Sequence, residues 1–360
     1  MDDRVEAHAE TLVDWSARIE AGDDVVLSVG PDAHELAVAV AGKLGERGAN
    51  LICTYASGEI SRAYLRASDG EFDADPDFEL TMLERADAYL SLGGGRNSAA
   101  TADVPEETRN AYDRARQAIR EARLDTDWVK TLHPTRSLAQ RAGMAYEEYQ
   151  DFLYSAVLRD WESLAAEQER LKDLLEDTEE VRITNEGTDL TLDVSGRFAV
   201  NSCASVAYDS HNLPSGEVFT APRSAAGHVT FDVPMTINDR RVKDVYLEFE
   251  GGEVVDFAAA QGESAIEGVL DTDDGARRLG ELGIGMNRGI DRPTDTILFD
   301  EKMAGTVHLA LGRAYDDCIP EGEDGNKSAT HTDLITTMGG GSRLELDGDA
   351  VQEDGTFRWE

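Results

Sequence analysis

Cysteine is nearly absent from this chain, which has only Cys53, Cys203 and Cys318 among 360 residues. The number is odd, the positions are far apart and no CxxC spacing occurs, so neither a disulfide framework nor a thiolate zinc site is supported. The expectation is three reduced, buried thiols. Long apolar runs are also missing: none approaches the ~20 residues needed to cross a bilayer. The start, Met1-Asp2-Asp3-Arg4, is acidic and has nothing like the apolar stretch of a signal peptide. These absences point to a cytoplasmic protein with no membrane partner.

Lysine is scarce as well: Lys43, Lys130, Lys172, Lys243, Lys302 and Lys327 are all there are. Asp and Glu total 73 against 34 Lys and Arg, a formal charge of −39 spread along the whole chain. Such a surface repels nucleic acid, because phosphate binding needs clustered Lys and Arg. It also strains the compact state by self-repulsion unless salt screens it. High acidity with little lysine leads us to expect a halophilic cytoplasm.

What is present is an alternation of two periods. Asp24–Gly30 reads as a buried strand, and a helical pattern follows from Ala33 to Arg47 with Leu36, Val40 and Leu44 on one face. Asn50–Tyr55 and Ala88–Leu92 read as further strands. This alternation predicts an N-terminal α/β domain with a mainly parallel sheet. Gly93-Gly94-Gly95 lacks the GxGxxG spacing and no GK[ST] follows, so it reads as a turn at a strand end and not as a phosphate loop. From Thr135 to Glu176 the pattern is helical. Trp161, Leu164, Ala165, Leu171, Leu174 and Leu175 form an apolar stripe expected to pack between domains or subunits.

Near Glu179 the period changes to that of strands. Val181–Ile183 and Leu190–Leu192 flank a turn at Asn185-Glu186-Gly187. Val245–Leu247 and Val254-Val255 flank Gly251-Gly252. Short helices are expected at Ser264–Leu270 and Gly275–Leu279. The second domain is therefore β-rich α+β, and the boundary is placed at 1–177 and 178–360.

Side chains two apart on a strand share a face, so His331 and Asp333, in the strand-like Ala329–Ile335, point together. His308 lies in a small, apolar run, Gly305–Gly312, where a polar ring needs a partner: a metal ion or a backbone hydrogen bond. Glu217 follows a turn-forming segment, and Glu281 sits among glycines. Glu217, Glu281, His308, His331 and Asp333 supply three carboxylates and two imidazoles, a donor set that suits Zn²⁺, Co²⁺, Mn²⁺ or Mg²⁺. Spacing alone leaves open a non-catalytic metal-binding protein and a nucleotide-binding α/β protein.

The segments NLPSGEVFTAP (residues 212–222), ELGIGMN (281–287), LFDEKMAGTVHLALGRAY (298–315) and NKSATHTDLI (326–335) resemble the thermophilic aminopeptidase family of metallopeptidases, of the AmpS/PepS type. HPTRSLAQRAGMAYEEYQDF (133–152) matches more weakly. The resemblance spans nearly the whole chain, and it implies an exopeptidase with two metal ions in the C-terminal domain. Matched motif by motif, the ligands fall on Glu217, Glu281, His308, His331 and Asp333, and the catalytic tyrosine on Tyr315. Glu217 and Glu281 are also the candidates for general base. The substrates implied are peptides with free N-termini, and the assembly implied is a homodimer. The segment between Tyr315 and Asn326 is shorter than in some relatives, which bears on the shape of the substrate pocket.

Overall fold

Buried apolar runs alternate with amphipathic helices through the first half of the chain, and in the computed structural model the runs align as a parallel sheet. The structure describes residues 2–73, 76–94, 96–97, 99–238 and 240–360. Helix α1 (Asp3–Glu10) precedes β1 (Asp24–Val29), α2 (His34–Arg47), β2 (Asn50–Tyr55), α3 (Gly58–Ala67) and α4 (Asp77–Glu84). Then come β3 (Ala88–Gly93), α5 (Glu106–Ala115), α6 (Gln117–Leu124) and β4 (Asp127–Leu132). The strand order is β2-β1-β3-β4, completed by β8 (Asn212–Leu213), all parallel. The α2 face read from the sequence is the buried one: Leu36, Val40 and Leu44 have no exposed surface. Strand β3 ends at Gly93 with Gly94 just beyond it; Gly95 lies outside the described residues.

The expected helical stretch is broken into α7 (Arg136–Arg141), α8 (Tyr146–Val157) and α9 (Trp161–Glu176). The apolar stripe of α9 packs on two strands, β7 (Ala199–Ser202) and β9 (Glu217–Thr220). Trp161, Leu164, Ala165, Leu171 and Leu175 are buried, and Leu174 is half-buried. Each fully buried aliphatic side chain contributes roughly 1.5–3 kcal/mol, which ties α9 to those strands. For that reason the compact units differ from a single cut at residue 177. One comprises residues 1–158 and 204–214; the other comprises residues 159–203 and 215–360.

The second unit contains the hairpin of β5 (Glu180–Asn185) and β6 (Thr188–Asp193), which turns where expected. After β9 follow β10 (Ser224–Phe231), β11 (Met235–Ile237), β12 (Arg240–Glu250), β13 (Glu253–Gln261) and α10 (Glu263–Leu270). The helix expected at Gly275–Leu279 is instead a 3₁₀ turn, Asp274–Arg277, and Leu279 opens β14 (Leu279–Gly285). Then come α11 (Ile297–Asp300), β15 (Thr306–Gly312), β16 (His331–Thr337), β17 (Arg343–Leu346), β18 (Asp349–Glu353) and β19 (Thr356–Phe357). Among the described residues these strands form two sheets. One has the order β11-β12-β10-β6-β5-β17-β18-β19, with β13 on β12. The other is antiparallel, β16-β15-β14-β9-β7, and its central strands β14 and β15 are buried along their whole length. No helix among the described residues is long and apolar enough to cross a membrane. Cys203 and Cys318 are buried as expected, but Cys53 is exposed because β2 is an edge strand.

Candidate metal centre

Strand register gathers the candidate residues on one face of the smaller sheet. Across β14 and β15, Gly283 stands opposite His308 and Glu281 opposite Ala310. Across β15 and β16, Ala310 faces Asp333 and Gly312 faces His331; across β14 and β9, Gly285 faces Glu217. The period of two keeps all five polar side chains on the same side. Each also stands beside a glycine or alanine, which leaves room for it. At Gly283 that room is essential, since a Cβ there would come within 2.0 Å of the His308 ring.

Glu281 occupies the middle of the group. Its Oε1 is 3.0 Å from His308 Nε2, and its Oε2 is 3.3 Å from His331 Nε2. Asp333 Oδ1 lies 3.5 Å from His331 Nε2, and Glu217 Oε2 lies 3.7 Å from His308 Nε2. Ligand atoms of Glu281, His331 and Asp333 all fall within 4.8 Å of one another. His331 Nδ1 donates to the Arg313 carbonyl at 2.8 Å, which directs Nε2 at the carboxylates.

Charges this deep are costly unless paired. Burial opposes protonation of His308, yet its hydrogen bond to Glu281 and the charge of Glu217 prevail and push it up to about 9. His331, also opposed by burial, is pushed up to about 11 by Asp333 and Glu281. Burial raises Glu281, but its hydrogen bonds to both imidazoles win and hold it well below the usual carboxylate range. The cluster thus stabilises positive charge at its centre. Glu217 Oε2 is buried with no hydrogen-bond partner, although buried polar atoms rarely go unpaired. Mixed nitrogen and oxygen donors around an orphaned carboxylate oxygen fit a divalent cation.

The chain matches the family described as thermophilic metalloprotease (M29) over residues 1–357. The chain belongs to this metalloprotease family. A divalent metal cofactor follows from that membership. Aminopeptidase T of Thermus aquaticus is 29% identical over 97% of this chain and 94% of its own length. Aminopeptidase PepS of Streptococcus thermophilus is 25% identical over 98% of this chain and 95% of its own. In fold, the solved structure of wild-type AmpT from Thermus thermophilus superposes with a TM-score of 0.85 at 24% identity, covering 99% of both chains.

Within this metalloprotease fold Tyr315 follows β15, its ring 4.9 Å from that of His331 and 5.6 Å from that of Phe219. The Arg313 guanidinium lies 5.7 Å from the same ring. Burial, reinforced by the charges of Glu281 and Asp333, pushes the Tyr315 hydroxyl up, so it stays a hydrogen-bond donor.

The sequence reading missed four residues. Glu301 and Lys302 enter the cluster as a pair: Lys302 Nζ donates to Glu301 and lies 3.1 Å from Glu217 Oε1. Gln168, a polar residue inside the apolar stripe of α9, donates through Nε2 to the carbonyls of Ser202 (3.1 Å) and Glu217 (2.6 Å). Asn287 donates to Ser215 O from its side chain and to Lys302 O from its backbone. It thereby joins three of the four matching segments. A polar residue at helical spacing within a hydrophobic stripe was the available signal for Gln168, and a lysine flanked by Phe299 and Met303 in a lysine-poor chain was the signal for Lys302.

Proposed function

We propose that Glu217, Glu281, His308, His331 and Asp333 hold two divalent cations in the second unit and that this centre removes N-terminal residues from peptides. By family and full-length relatives the chain is a metal-dependent aminopeptidase. The observation that carries the two-cation reading is Glu281, whose two oxygens face two different imidazoles. His331, with Asp333 3.5 Å from its Nε2, stands at one of those oxygens, and His308, with Glu217 3.7 Å from its Nε2, stands at the other. Zn²⁺, Co²⁺, Mn²⁺ and Mg²⁺ all accept such donors. When bound, such ions polarise a carbonyl group and acidify water.

The chain's own residues supply the remaining functions. The Tyr315 hydroxyl, kept protonated, donates to the oxygen on which charge develops; donors of that kind are among the largest contributors to catalysis. Glu217 and Glu281 are the candidate proton acceptors, and Glu301 adds a further buried carboxylate beside them. A free α-amino group is cationic, so a carboxylate-rich centre anchors it and limits attack to the first peptide bond. The same reading includes a homodimer in a salt-rich cytoplasm. The charge of −39 motivates the salt requirement. The Debye length falls from ~30 Å at 0.01 M to ~3 Å at 1 M salt. Dialysis into dilute buffer should therefore abolish activity and dimer together, and KCl near molar concentration should preserve both. An active dimer in dilute buffer would remove the halophile element alone.

The test of the function compares an aminoacyl chromogenic substrate with its N-acetylated form, before and after a chelator. Hydrolysis of the free amine only, lost on chelation while the circular dichroism is unchanged and restored by Zn²⁺, Co²⁺, Mn²⁺ or Mg²⁺ added alone, is the expected result. Cleavage of the acetylated substrate, or hydrolysis that survives chelation, would overturn it.

A further inference from the structure

Lys302 is a wholly enclosed cation at the edge of the carboxylate cluster, with none of its side chain exposed. A lysine ammonium has three donors and a strongly hydrated point charge, so burying it without fixed partners is costly. Its partners here are Glu217 Oε1, at 3.1 Å, and Glu301. The other oxygen of Glu217, Oε2, has no hydrogen-bond partner and is the one on the His308 side. The two oxygens of one carboxylate are therefore divided between an internal ammonium and the histidine cluster.

The turn that carries Lys302 is held from three directions. Asp300 accepts hydrogen bonds from Thr294 N (2.7 Å), Thr294 Oγ1 (2.8 Å) and Thr296 N (3.2 Å). Lys302 O accepts from Asn287 N at 3.0 Å. The backbone of Lys302 and Met303 lies directly on Gly285, where a Cβ would come within 2.1 Å of Met303 O. Gly285 is the residue that pairs with Glu217 across β14 and β9. The ammonium is thus fixed to the same strand pair that presents Glu217.

We propose that Lys302 is a positioning residue that occupies Oε1 of Glu217, leaves it Oε2 as a single donor, and so biases the centre toward cations that need few oxygen ligands. This rests on the metal-centre reading above. Zn²⁺ is satisfied by four mixed nitrogen and oxygen ligands, whereas Mn²⁺ and Mg²⁺ favour six-coordinate, oxygen-rich surroundings. Withholding one carboxylate oxygen penalises the second group more than the first.

The test measures binding of Zn²⁺ alone and Mn²⁺ alone to the metal-stripped full chain, by competition with a chromogenic chelator, for wild type, Lys302→Met and Lys302→Arg. Lys302→Met releases both oxygens of Glu217, so Mn²⁺ affinity relative to Zn²⁺ should rise by ~10-fold, the low end of what partners of metal ligands contribute. Lys302→Arg keeps the charge and should retain the wild-type ratio. A folded Lys302→Met chain with an unchanged ratio would reduce Lys302 to a structural role. If Lys302→Met does not fold, a crystal structure of the Mn²⁺-loaded wild type decides: Glu217 bound through Oε2 with Lys302 on Oε1 supports the proposal, and Glu217 bound through both oxygens overturns it. Absence of any cation at Glu217 in that crystal would instead sink the metal-centre reading itself.

Discussion

His8 and His308 are equally enclosed, with 0% and 1% of their surface exposed, yet their ionisation moves in opposite directions. His8, in the first unit, lies by Thr131, with its Nε2 2.8 Å from the threonine hydroxyl, and by the ring of Tyr154. Burial, with a small contribution from the charge of His133, pushes it down to about 3, so it is neutral. His308 meets the same burial but also Glu281 and Glu217, and rises to about 9. Enclosure alone therefore says nothing about chemistry. The carboxylates decide whether a buried imidazole is packing or part of a cation site.

The largest effect that sharpens this contrast comes from His308→Ala and His331→Ala. Each should remove at least one cation per chain and lower kcat/KM by more than ~100-fold, since a lost ligand costs at least as much as a lost ligand partner. Metal analysis beside steady-state kinetics checks it, and full metal content with full activity in both variants would break the assignment. Tyr315→Phe comes next. Removing one hydroxyl should lower kcat by about 10²–10³ with metal content unchanged, the loss typical of one oxyanion donor. A kcat within about twofold of wild type, on the same scale of one-donor losses, would make Tyr315 a packing residue.

The two histidine environments also predict opposite pH dependences. In metal-free protein the stabilisation from His308 and His331 is complete below their ordinary value of ~6.5. It is lost as pH rises through about 9 and about 11. The contribution of neutral His8 is complete above ~6.5 and is lost as pH falls toward about 3. Urea denaturation across pH, with and without metal, separates the two limbs. Cation binding at pH 7 should also release about two protons, one from each imidazole, read by calorimetry in buffers of different ionisation enthalpy. The smallest effect belongs to His8→Phe. It leaves Thr131 without its partner and should cost about 1–3 kcal/mol of stability without changing metal content or kcat. Loss of metal in that variant would collapse the distinction between the two sites.

Local pattern carried much of this fold. The strands at residues 24–29, 50–55 and 88–93 and the hairpin turns near Gly187 and Gly251 were legible because each depends on burial period and turn residues within a few positions. Glu217, Glu281, His308, His331 and Asp333 were legible as a chemically coherent set, and the structure brings all five to one sheet face. Glu301 was not legible, because one loop carboxylate among 73 acidic residues carries no periodic signal. The division of the chain was hidden for a related reason. That α9 packs on β7 and β9, and that β8 joins β4, are long-range facts that no window of sequence contains.

The five residues come from four strands whose first and last members, Glu217 and Asp333, are far apart in the chain. Sliding any one of these strands by a single residue would turn its contribution to the opposite face. A cation that binds only when all four are aligned stabilises that arrangement over every slipped one, by mass action. On the proposed ligand assignment the metal centre is then a proofreader of folding: a chain that assembles with a misaligned β14 would not hold the ion that a correctly assembled one retains.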